Sequence, residues 1–228
     1  MINLIVLIKF KGTNHENFIL IMEKGRRNPV FLEEYYFREV RKMSYLKLAN
    51  ENFENIKIQV ERAMEQLNLD QLHFSPNEES NSIAIIAKHM SGNLKSRFRD
   101  FLTSDGEKPD RTRDGEFVGT FGTREDLLTH WNDGWTVLFQ TLSQLKEKDL
   151  EQTVLIRNEP HTAIQAIQRQ IVHQATHAGQ IVYLAKMIKN EDWNTLSIPK
   201  GQSQKFNEKM MGISKKRRDP LVKKTGPS

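Results

Sequence analysis

His173 and His177 stand four residues apart, the spacing at which two side chains leave an α-helix on one face. Two neutral imidazoles so placed can aim ring nitrogens at one divalent ion. The spacing alone is a weak signal, because chance often produces it among seven histidines (15, 73, 89, 130, 161, 173 and 177). The stripe around the pair adds weight. Ile167, Gln170, Ile181 and Leu184 fall on the same side of the helix, and burying two imidazoles there without partners is costly. A metal satisfies one nitrogen of each ring and leaves the other for a supporting hydrogen bond. Gln170 and Gln180, one turn to either side, are candidates for that support.

His89 lies between Ile86 and Met90 in another helical stretch. By itself it reads as a packed core histidine. Beside the pair it completes three imidazoles with open positions for water or substrate, the arrangement of a catalytic rather than a closed structural site. Asn93, one turn on, shares its face. Arg169 and Arg97 are candidates for holding an anionic co-substrate, although each also reads as an ordinary solvated helix residue. No Asp or Glu presents itself as a general base, and His130 serves only if it reaches the site. His15 falls in the N-terminal region, His73 in a loop and His161 at the start of the last helix, where local bonding is the plainer reading. With no cysteine in the chain, disulfides, thiolate ligands and a cysteine nucleophile are excluded. That composition fits a reducing cytoplasm.

Four helices are needed to position these residues, and the apolar spacing supplies them. The first, about Tyr45 to Leu67, carries Leu46, Ala49, Phe53, Ile56, Val60 and Met64. The second starts at Ser82, a plausible N-cap, and runs to about Leu102. The third opens at Thr123-x-x-Asp126, which resembles a capping box, and carries Leu127, Trp131, Trp135, Leu138 and Leu142. The fourth is announced by Pro160 and Thr162-x-x-Gln165 and continues to about Lys189. A short extended piece is expected at Thr153–Ile156. The fold class is all-α, a four-helix bundle. A helix of about 22 residues spans about 33 Å. The polar loop 105–122 can reach about 59 Å at full extension, so helices two and three can lie parallel.

Residues 44–204 are read as the bundle. Residues 1–43 are an N-terminal extension of open status, either upstream of a natural start at Met43 or an extra helix. Residues 205–228 are read as a basic, disordered, solvated tail. Eight basic residues face two acidic ones in that tail and eight face five in 1–43, so the net charge of +5 belongs to the ends and the body is mildly acidic. That balance argues against a nucleic-acid-binding core. Ile2–Ile8 is far shorter than the roughly 20 apolar residues of a membrane span and lacks the marks of a signal peptide.

A lone histidine in helix two and His-x-x-x-His in helix four resemble the DinB/YfiT-like superfamily. Several stretches resemble one bacterial branch of it, a domain of unknown function designated DUF1572. They are Ile86–Asn93, Phe101–Lys108, Glu159–His161, Gly179–Lys186 and Leu196–Gly201. The resemblance covers about 44–208. It implies an up-down-down-up bundle and a metal site on His89, His173 and His177 holding zinc, nickel or iron. It also implies a homodimer and, in characterised relatives, transfer chemistry with low-molecular-weight thiols. The expected function is therefore a metal-dependent thiol-S-transferase or hydrolase acting on a small molecule in the cytoplasm. Two other classes stay open: a non-catalytic metal-binding stress-response protein, and an interaction module acting through Lys215–Arg218.

Overall fold

The computed structural model describes residues 44–218, with side chains to 212; residues 1–43 and 219–228, and the readings placed on them, lie outside the described residues. Six α-helices and one hairpin make up this part of the chain. Helix α1 spans Tyr45–Met64, and its Ser44 hydroxyl accepts from Lys47 N. Five of its buried residues, Ala49, Phe53, Ile56, Val60 and Ala63, recur at alternating steps of four and three, which keeps one stripe on the core. The connection that follows contains α2, Leu69–His73, closed by a capping box between Asn68 and Gln71. Helix α3 spans Ile83–Phe98 behind an N-capping Ser82.

Helix α3 ends four residues before the periodicity predicts. Arg99 turns extended and Asp100 adopts a left-handed φ of 48°. Phe101 thereby folds back to stack on Phe98 with ring centroids 5.4 Å apart. The long polar loop holds a 3-10 turn at Asp114–Phe117. Helix α4, Arg124–Gln144, starts where Thr123 accepts from Asp126 N. Helix α5, Ala163–Lys189, starts at a full Thr162/Gln165 capping box.

Between them lies a hairpin of β1, Thr153–Ile156, and β2, Glu159–Thr162, paired antiparallel with Ile156 opposite Glu159. The sequence marks only its first strand. Pro160 and His161 belong to β2 rather than to a helix start. Arg157 and Asn158 form the two-residue turn with φ of 56° and 63°, the pair of positive values that matches the twist of a tight hairpin. The Asp105 carboxylate accepts from both turn amides at 2.8 and 2.7 Å, fastening the long loop to the hairpin. Helix α6, Ser203–Arg218, stands where a disordered tail is expected. Its residues up to 212 are exposed, as such a tail would be.

Four long helices share one apolar core. Helices α1 and α5 run parallel. Tyr45 Oη meets Gln168 Oε1 at 3.2 Å at their starts, and Gln66 and Asn194 bond just beyond their ends. Helices α3 and α4 also run parallel, joined by Gly134 N to Ser91 Oγ and by Thr141 Oγ1 to Phe98 O. Gly134 permits this approach. A Cβ there would lie 2.6 Å from the Ser91 carbonyl oxygen. Helices α1 and α4 are antiparallel, since Arg124, at the start of α4, donates to the carbonyls of Met64 and Leu67. Helix α3 is antiparallel to α5, because His89 meets His177 while Asn93 meets Gln174. No described helix is long and apolar enough to cross a membrane.

Candidate metal centre

The crossing of α3 and α5 brings His89, His173 and His177 together. Each can offer one ring nitrogen, and those three nitrogens lie within 4.8 Å of one another. Ring centroids are 5.4 Å apart for His89 and His173, 5.0 Å for His89 and His177, and 4.6 Å for His173 and His177. His89 is buried and the other two are half-buried.

Hydrogen bonds leave the same nitrogen free on two of the rings. His89 Nδ1 lies 2.8 Å from Glu116 Oε2, and His177 Nδ1 lies 2.8 Å from Gln180 Oε1. Both partners are oxygens that accept, so in the neutral ring Nδ1 carries the proton and Nε2 keeps its lone pair. His173 Nε2 is buried with no hydrogen-bond partner among the described residues. Three nitrogen donors on half-open ground, one of them orphaned, fit a divalent cation, and the group could hold a metal ion.

The electrostatics agree. Burial, then the neighbouring His177 and His89 and the more distant Arg97 and Arg111, push His173 down to about 3. Burial also lowers His177, with His89 adding to the shift and the Gln180 bond opposing it. Both rings are therefore neutral at physiological pH, the form that binds metal.

Glu116 is the residue the sequence reading missed. It reaches His89 from the 3-10 turn, 27 residues along the chain. Burial acts to raise its pKa, but the bonds from His89 and Arg111 prevail and hold it below the usual carboxylate range. Arg111 grips it as a fork, Nε to Oε1 and Nη2 to Oε2, both at 2.9 Å. Glu107 in turn accepts from Arg97, Arg111 and Arg157. The only local signs of this network in the sequence are the opposite charges of the loop and a glycine, Gly92, one turn after His89.

The remaining candidates divide. Gln180 bonds His177. Asn93 is buried beside the triad but pairs with Gln174 Nε2, at 3.5 Å, rather than with a histidine. Gln174, fully buried, was not anticipated. Gln170 is buried with its Oε1 unpartnered, lining a small cavity with Arg97 and Ile156. Arg97 is a buried residue bonded to Gly106 O and Glu107, not a solvated one. Arg169 is exposed. His130 turns its Nε2 to Lys88 O at 3.4 Å and packs on Phe121, outside the triad. His73 is no loop residue but ends α2, and its Nε2 accepts from Phe121 N. His161 sits on β2. His15 lies outside the described residues.

Comparison with known proteins agrees with this picture at the level of family and fold. A family described as "Protein of unknown function (DUF1572)" matches residues 41–202. A crystal structure of a conserved protein from Enterococcus faecalis is similar at 16% identity and a TM-score of 0.50, over 64% of this chain and 98% of that one. A likeness at that identity bears on fold alone. Among curated proteins none matches.

Proposed function

The chain belongs to the DUF1572 family, and we propose that it is a metal-binding protein of the DinB/YfiT-like superfamily, built as an up-down-down-up four-helix bundle. The bundle reading rests on the parallel pairs α1/α5 and α3/α4 and the antiparallel pairs α1/α4 and α3/α5. The metal reading rests on one observation above the others: three imidazoles converge with a buried, unpartnered His173 Nε2 among them. His89, His173 and His177 are the ligands. Zinc or nickel suits an all-imidazole site by ligand preference, and iron remains compatible with it.

As an enzyme the protein joins a low-molecular-weight thiol to an electrophile, or hydrolyses a small molecule. His89, His173 and His177 would hold a divalent cation, which would supply the acidity that makes a thiol or water a nucleophile near neutral pH. The chain's part is to hold His173 and His177 neutral and all three rings fixed. Gln180 orients His177, and Glu116 orients His89. Arg169 is available on the exposed face of α5 for an anionic co-substrate. A homodimer is part of the same reading, supported by exposed Val172, Tyr183 and Met187 on α5. A cytoplasmic setting is part of it too.

One observation favours a second, non-catalytic reading as a metal-binding protein without turnover. The carboxylate nearest the triad has both oxygens engaged by His89 and Arg111 and cannot serve as a free base. The two readings separate by experiment. Protein stripped of metal and reloaded with zinc, nickel or ferrous iron is mixed with a thiol and an alkylating electrophile. Turnover by the loaded protein and none by His173→Ala supports the transferase. Full loading with no turnover, on thiol or hydrolytic substrates, supports the non-catalytic protein.

A further inference from the structure

Nothing in the family description or in the triad itself explains why a carboxylate from a loop is buried beside His89. Burying a charge is costly unless it is paired and hydrogen-bonded, and here the chain invests several residues in doing so. Arg111 neutralises Glu116 with a two-pronged bond. Lys88, the residue before His89, donates to Gly115 O and Val118 O at 2.7 and 2.8 Å and clamps the 3-10 turn against α3 from both sides of Glu116. Phe117 covers His89, ring centroids 4.7 Å apart. Gly92 vacates the space into which the carboxylate fits. A Cβ on Gly92 would collide with Glu116 Oε1 and come within 2.7 Å of its Cδ. A glycine is less favourable than alanine in a helix interior, so the space is kept against propensity.

We propose that Glu116 is a positioning residue, which fixes His89 as the Nδ1–H tautomer and holds its Nε2 toward the other two imidazoles, with Arg111, Lys88 and Gly92 as its supports. The loop 105–118 is thereby part of the metal site, although it contributes no ligand. This rests on the three-histidine reading of the site. A carboxylate behind an imidazole raises the basicity of the ring and fixes its orientation, and losing such a partner typically costs about 10–100-fold in metal affinity.

The test uses the full chain with uniformly 15N-labelled histidine. In metal-free protein near pH 8, the His89 ring is expected to show a protonated Nδ1 and a lone-pair Nε2, and Glu116→Gln or Gly92→Ala to disturb that pattern. In a competition titration with a zinc chelator, wild type is expected to bind one zinc, and Glu116→Gln to bind one zinc about 10–100-fold more weakly. Zinc affinity unchanged in folded Glu116→Gln overturns the proposal. So does a wild-type His89 protonated on Nε2, which can be read even if the variants fail to fold. Wild type that binds no zinc while His89 shows the expected tautomer supports the positioning and contradicts the three-histidine reading instead.

Discussion

The α1–α4 seam and the α3–α5 seam are built from opposite materials. Between α1 and α4, Phe53 meets Trp135 edge to face with centroids 6.4 Å apart, and Trp131 packs 5.2 Å from Trp135. All three are fully buried, as are Met64 and Leu138. Between α3 and α5, His89, Asn93 and Arg97 face Gln170, His173, Gln174 and His177. Six buried side-chain atoms lack a partner among the described residues; four of them, on Arg97, Gln170, His173 and Gln174, lie along this second seam, and one, Trp135 Nε1, lies in the first. The first seam is filled by large aromatic and aliphatic side chains and leaves one donor orphaned. The second shows that the chain sets stability aside at one crossing, as expected where a site rather than a core is being built.

Breaking the apolar seam is expected to have the largest effect. Trp135→Ala or Phe53→Ala should cost about 3–5 kcal/mol, read by urea denaturation. Metal per folded chain should not change, because neither residue touches the triad. Closing the gap between α3 and α4 comes next. Gly134→Ala forces a Cβ onto the Ser91 backbone and should cost about 1–3 kcal/mol despite its better helix propensity. A Gly134→Ala protein as stable as wild type would show that the two helices are not packed this closely.

The polar seam should respond in the other sense. His173→Leu removes a buried nitrogen with no partner, and such a group carries a penalty of about 1–3 kcal/mol that an apolar replacement relieves. Metal-free His173→Leu should therefore be at least as stable as metal-free wild type, while the thermal shift on adding zinc disappears. The smallest effect is in pH. The native His173 ring takes up a proton only near 3, against 6.5 for the unperturbed group. Between these values the unfolded state binds more protons, so stability falls as pH drops. This loss is absent above 6.5 and complete below about 3. Metal-free wild type should weaken between pH 7 and pH 4.5 more steeply than His173→Leu, measured by denaturant midpoints.

The sequence made the helices, the three histidines and one support, Gln180, legible, and hid the other support, Glu116. Apolar residues recurring at three and four reveal α1, α4 and α5, and Ser82, Thr123 and Thr162 mark three helix starts because capping is local chemistry. The three histidines stand out because their spacing and stripe are also local. Glu116 does not. It lies in a loop without periodicity, and its bond to His89 depends on the path the chain takes between Asp105 and Thr123. The end of α3 was missed for a similar reason, since Phe101 continues the helical rhythm yet gains more by stacking back on Phe98. The returning strand Glu159–Thr162 was hidden by Pro160, which reads equally well as a helix start. Gln174 lies on the same stripe, four residues after Gln170 and three before His177, and escaped because attention to imidazoles passes over a buried amide.

The most direct test is the metal content of the native protein, purified without a histidine tag and measured by plasma mass spectrometry beside a His173→Ala/His177→Ala variant. The account predicts about one zinc, nickel or iron per wild-type chain, retained through dialysis, and none in the variant. A wild type that takes up no divalent metal, even after anaerobic reconstitution with each of the three, would contradict it.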